Sequence, residues 1–124
     1  MENILLYLPS NISANQKFSG VWVKNTGFES IGLKVGSMAI VASLKVKNGD
    51  LVAVIEIETD LAIIGLYEKD LGFICLEDLE EYVEVFNPSE LKIMGKVVGY
   101  CRPTKDLSQR FWVTAIETNK ARIY

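Results

Sequence analysis

The sequence predicts a mostly β domain. Three observations carry this expectation: short apolar runs rich in Val and Ile, turn residues at close intervals between them, and no sustained apolar repeat at helical spacing. Val21-Trp22-Val23 lies between the turn signals Ser19-Gly20 and Asn25-Thr26-Gly27 and is the first expected strand. Ile31-Gly32-Leu33-Lys34-Val35 is the next, with Ile31, Leu33 and Val35 at period two on one face, and Gly36-Ser37 ends it. After Lys47-Asn48-Gly49-Asp50 comes Leu51 to Ile57, rich in β-branched residues, and then the turn Glu58-Thr59-Asp60. Leu61 to Tyr67 follows as its partner, with Glu68-Lys69-Asp70 as the next turn and Gly72 to Leu76 as a third strand. Loops this short imply an antiparallel meander, because parallel pairing needs crossovers of about a dozen residues.

Beyond the meander, Glu77 to Tyr82 fits a short helix or an acidic loop before the strand Val83-Glu84-Val85-Phe86. Asn87-Pro88-Ser89 is a turn, since proline cannot continue the ladder. Ile93 to Tyr100 is a further strand, ended by Pro103. The segment from Thr104 has no clear period, although Phe111 to Ile116 fits one more strand. No linker, internal repeat or low-complexity stretch divides residues 1–124, so a single domain is expected, with coiled sheets in a small closed or half-closed barrel.

Composition removes several function classes. Histidine is absent, so Ser-His-Asp and Cys-His pairings and imidazole metal ligands are excluded. Thirteen basic against sixteen acidic residues give a formal net charge of −3, which does not favour a nucleic-acid face. Cys75 and Cys101 are the only cysteines and lack CxxC spacing. Two buried thiols in a reducing cytoplasm are expected, with a single disulfide as the other reading. The N-terminus lacks a basic n-region and a cleavage-type site, so no signal peptide is expected. No apolar run reaches the ~20 residues of a membrane span. Neither a cofactor fingerprint nor a metal-ligand cluster appears. The carboxylates Glu77, Asp78, Glu80, Glu81 and Glu84 match no EF-hand spacing and read as a solvated acidic face. Phe18, Trp22, Phe111 and Trp112 read as core or interface aromatics. Lys34, Lys45 and Lys47 form a small solubilising basic patch.

Three blocks carry a resemblance. Val46 to Val54 places an Asn-Gly-Asp turn at the mouth of an apolar strand; Leu61 to Tyr67 follows at strand spacing; and Leu91 to Arg102 contains Ile93-Met94-Gly95-Lys96-Val97-Val98-Gly99. In this order and spacing, residues 31–103 resemble the peptidase-like domain of LexA, UmuD and the C-terminal domains of phage repressors, with 104–124 as a C-terminal extension. The resemblance implies a LexA/signal-peptidase-like β-clip fold of coiled antiparallel sheets. It also implies a Ser-Lys dyad, in which a neutral, desolvated lysine takes the serine's proton.

This chain departs from the pattern at both members of the dyad. Ser37-Met38 offers a serine-methionine pair, but Asp50 lies 13 residues later, further than the family's spacing. Aligning the strand at Leu33-Lys34-Val35 puts the serine position at Ala39, and counting back from Asp50 puts it near Ile40. The lysine position falls on Ile64; Lys69 lies five residues on, an odd offset that would face the other way along a strand. No Ala-Gly or Cys-Gly dipeptide, the family's cleaved bond, occurs before Ser37.

The first expectation is therefore a peptidase fold without peptidase chemistry. By resemblance it would be a homodimeric or regulatory interaction module of the bacterial or phage cytoplasm, linked to SOS-type or phage transcriptional control. It would have no cofactor and make no direct contact with nucleic acid or membrane. Ile93, Gly95, Val97, Val98 and Tyr100 are its interface candidates. Main-chain pairing along this strand would set the register between copies. The second expectation is a live serine peptidase with Ser37 as nucleophile and Lys34 or Lys69 as an unconventional base. A third is a small β-barrel unrelated to the family.

Overall fold

The computed structural model describes residues 5–10, 12, 17–24, 28–68, 72–77, 82–86, 90–103 and 110–116. Its strands are β1 (Leu5–Tyr7), β2 (Phe18–Trp22), β3 (Met38–Ala42), β4 (Leu51–Glu56) and β5 (Ala62–Glu68). They continue with β6 (Gly72–Glu77), β7 (Tyr82–Phe86), β8 (Leu91–Cys101), β9 (Arg110–Trp112) and β10 (Thr114–Ala115). The larger sheet is antiparallel with the order β2-β3-β8-β4-β5-β6-β7, and β10 adds to β8. It is open, since β2 and β7 stand at opposite ends of the pairing path. β1 and β9 form a separate parallel ribbon.

The meander of short loops is present as β4 to β7, each strand paired with the next. β8 then returns to the far edge of β4 and continues along β3. It is the longest strand and it bends twice. Opposite β4 its register slips between Gly95 and Ile93, and opposite β3 between Gly99 and Val97. Each slip is a bulge, which bends a strand and increases its twist. The two neighbouring glycines are places of close approach. A Cβ on Gly95 would collide with the Ala42 carbonyl oxygen, and one on Gly99 would stand 2.6 Å from the Thr114 carbonyl oxygen.

Coiling lets strands on both sides of β8 share one core. Val21 and Val23 (β2 and its end), Ala39 and Val41 (β3), Leu51 and Ala53 (β4), Ile64 and Leu66 (β5) and Val97 (β8) are buried together, with Phe28 and Leu33. On the other side of β3, Met38, Ile40 and Cys101 are buried with Phe111 and Val113, and Leu6 and Leu8 of the β1 segment pack against them. Residues 110–116 of the C-terminal extension therefore belong to the fold.

The structure departs from the sequence expectations locally, and Ser19-Gly20, expected as a turn, lies within β2. Ile31 to Val35 is not a strand: Glu29–Ile31 forms one 3-10 turn, closed by Gly32 in the left-handed region (φ 105°). Leu33 is fully buried while Val35 is 58% exposed, so the two do not share a face. Met38–Ala42 is a strand that alternation does not reveal, because all five residues are buried and both faces are covered. Phe111 to Ile116 is two short strands rather than one; the chain breaks step at Val113, whose N–H donates to the Tyr7 carbonyl at 3.0 Å. Of the helix-or-loop reading at Glu77 to Tyr82 the two ends lie in β6 and β7, and of the turn Glu68-Lys69-Asp70 the first residue lies in β5; the rest of both, and the turn Asn87-Pro88-Ser89, lie outside the described residues.

Because Gly95 has no room for a methyl group, Gly95→Ala is expected to lower the unfolding free energy by about 1–3 kcal/mol in urea titration.

Candidate functional site

Ser37 closes the turn before β3. Its N–H donates to the Lys34 carbonyl at 3.0 Å, and its carbonyl accepts the Val23 N–H at 2.9 Å. The residue is 2% exposed, whereas Lys34 is exposed to solvent. Among the described residues no lysine ammonium is hydrogen-bonded to a serine hydroxyl. A serine without a base is a poor nucleophile at neutral pH. Lys69 lies outside the described residues.

The position that one register of the resemblance marks as a lost serine, Ala39, and the position of the lost lysine, Ile64, lie on β3 and β5, with β8 and β4 between them. Ala39 (0% exposed) and Ile64 (6%) belong to the same buried cluster, along with Val41, Ala53 and Val97. Ile64 stands opposite Ala53 in the β4–β5 register, and Ala39 opposite Tyr100 in the β3–β8 register. Packed this way the cluster is an aliphatic core that neither donates nor accepts protons.

The interface candidates on β8 divide. Val97 is buried in the chain's own core, and Gly95 and Gly99 lie against neighbouring backbone. Val98 and Tyr100 are half-buried; Ile93 is 52% exposed. The main chain from Lys96 to Cys101 pairs with β3, and that from Leu91 to Lys96 pairs with β4. Of the interface candidates, Ile93 has the exposed side chain.

The polar centre of the sheet is one that the motif reading did not single out. Asp50 is buried, and Lys96 reaches it with Nζ–Oδ1 at 3.5 Å. The other carboxylate oxygen accepts the Lys47 N–H at 2.8 Å, and the Asp50 N–H donates to the Lys47 carbonyl at 3.0 Å. The Asp50 carbonyl accepts the Tyr67 N–H, and the Tyr67 carbonyl accepts the Gly49 N–H. Two of the blocks that carry the resemblance, Asn-Gly-Asp and Gly-Lys-Val-Val-Gly, thus meet in one ion pair. A signal for it was present: each block sets one charge at or inside an apolar strand, and a buried charge needs a partner.

Phe111 is buried and Phe18 packs against the same cluster, whereas Trp22 (46%) and Trp112 (73%) are exposed. Trp112 stacks on Tyr7 across the β1–β9 ribbon, with centroids 4.6 Å apart and planes at 23°. Lys34, Lys45 and Lys47 are all exposed. Cys101 is a free, buried thiol whose pKa burial raises. Among the described residues no group of Cys, Asp and Glu is placed to hold a metal ion; the acidic side chains from Glu77 to Glu84 are outside them. Nor does any described helix have the length and apolarity to cross a membrane. No family model matches the chain, and no curated protein matches it.

Asp50→Ala removes the ion pair and a cap on the turn, and is expected to cost about 2–4 kcal/mol in urea unfolding. Lys96→Met keeps the aliphatic stem but leaves the buried Asp50 carboxylate without its cation, so its expected cost is about 1–3 kcal/mol. At pH 8 the Cys101 thiol should alkylate with iodoacetamide far more slowly than in urea, with peptide mass spectrometry locating the adduct.

Proposed function

We propose that this chain is a LexA-like peptidase scaffold without peptidase chemistry, serving as a dimerisation or regulatory interaction module in phage or SOS-type transcriptional control. The observation that carries the reading is the joint burial of Ala39 and Ile64 in one aliphatic cluster. A Ser-Lys mechanism requires a hydroxyl and an amine in contact, with the amine held neutral by its apolar surroundings. Here the apolar surroundings are present and both reactive groups are replaced by hydrocarbon. The order of the motif blocks supports the scaffold, and their polar residues serve its folding.

The live-peptidase reading gains little from the geometry. Ser37 is enclosed and Lys34 is in solvent, so their proximity in sequence does not become a dyad. An interaction role is favoured by large apolar side chains left in water, with Leu61 54% exposed and Ile93 52% exposed on the same sheet.

A fluorophosphonate probe is expected to leave the purified chain unlabelled. Labelling that disappears in Ser37→Ala would contradict the proposal. Light scattering is expected to give twice the chain mass for the homodimer; a strict monomer would remove self-association and leave the regulatory partner as the function.

A further inference from the structure

We infer that the sheet face centred on Glu56 docks a basic, aliphatic polypeptide segment of another protein. The inference builds on the interaction-module reading and gives its partner a chemistry.

Residues 50, 52, 54 and 56 alternate away from the core face lined by Leu51 and Ala53. Across the sheet on this side, Val54 is flanked by Ile93 of β8 and Ile63 of β5. One row further, Glu56 stands between Leu91 and Leu61; the Leu61 carbonyl accepts the Glu56 N–H at 2.9 Å. Val54 is buried, Ile63 and Leu91 are half-buried, and Ile93 and Leu61 are more than half exposed. The face is aliphatic over three strands, closed at Val54, where Val46 packs nearby, and exposed at Leu61 and Ile93.

Among the described residues its Glu56 end carries acidic charge, while Lys45 and Lys47 flank Val46, which packs on the Val52–Val54 end. Glu56 lies within the strip, with Oε1 accepting the Thr59 hydroxyl at 2.8 Å, and the exposed Glu58, Asp60 and Glu90 border it. Lys96, on this side, is already paired with Asp50, and Lys92 stands opposite Ile55 on the other side. An acidic rim repels nucleic acid and anionic lipid headgroups. A second copy placed here about a two-fold axis would set these carboxylates against their own copies. The complement is a segment whose aliphatic side chains cover Leu61 and Ile93 while its Lys or Arg residues meet Glu56 and the rim. Apolar contact then supplies most of the affinity, and charge sets orientation and on-rate.

The test uses the full chain and three fluorescein-labelled peptides: alternating Lys and Leu, the same with Ser for Leu, and the same with Glu for Lys. In fluorescence anisotropy the Lys-Leu peptide should bind about tenfold or more tighter than the other two. Leu61→Ser with Ile93→Ser should weaken it by about tenfold, as should Glu58→Lys with Glu90→Lys. All four substitutions are at exposed positions, and circular dichroism verifies folding. Equal binding by the Lys-Ser peptide, or unchanged binding by either double variant, would mean diffuse charge attraction and would overturn the inference. So would a dimer in light scattering that Leu61→Ser with Ile93→Ser dissociates, because a second copy would then occupy the face. The fluorophosphonate result is independent: a chain that is labelled yet binds the peptide keeps this inference and loses the reading of a scaffold without peptidase chemistry.

Discussion

The buried carboxylate of Asp50 ties together parts of the chain that are distant in sequence. One oxygen caps the turn that starts at Lys47, and the other meets Lys96 near the middle of β8. Its own main chain holds the end of β5 through Tyr67. β4 therefore begins at a point held from three directions, and its pairings with β5 and β8 start there. A carboxylate so deeply buried is tolerable only while these partners are in place. The remainder of the sheet is laid out from that point.

The bends of β8 follow from its glycines. Gly95 admits the Ala42 carbonyl of β3, and Gly99 admits the Thr114 carbonyl of β10. With a bulge beside each, β8 pairs with β4 in its first half and with β3 in its second. The sheet coils, and Ala39 and Ile64, which lie on strands separated by two others, enter the same core. At the surface, the strip around Glu56 combines exposed apolar side chains with acidic neighbours.

Much of the fold was legible. The meander could be read because β4 and β5 are flanked by polar turns and have too few intervening residues for crossovers. The β8 block was legible as a strand, but not as an interior one, since pairing on both edges is a long-range property. β3 was missed because Met38 to Ala42 is covered on both faces and shows no alternation. Ile31 to Val35 misled in the opposite sense: its period of two was incidental, and Gly32 turns the chain. At the candidate site, the exclusion of histidine chemistry and the aliphatic character of position 64 were plain from residue types alone. The union of Asp50 with Lys96 depends on β4 lying beside β8, which no local pattern encodes. The acidic aliphatic strip was hidden for the same reason, because Leu61, Glu56 and Ile93 become neighbours only through strand pairing.

Amide hydrogen exchange tests the central claim, that Asp50 locks the sheet, most directly. The Lys47, Gly49 and Tyr67 amides sit at a surface turn and a strand end, where exchange is ordinarily fast. In the wild-type chain they are expected to exchange as slowly as the Val52 and Val97 amides in the interior strands, and Asp50→Asn is expected to release them selectively. Exchange of these three amides at the rate of an open turn in the wild-type chain would contradict it.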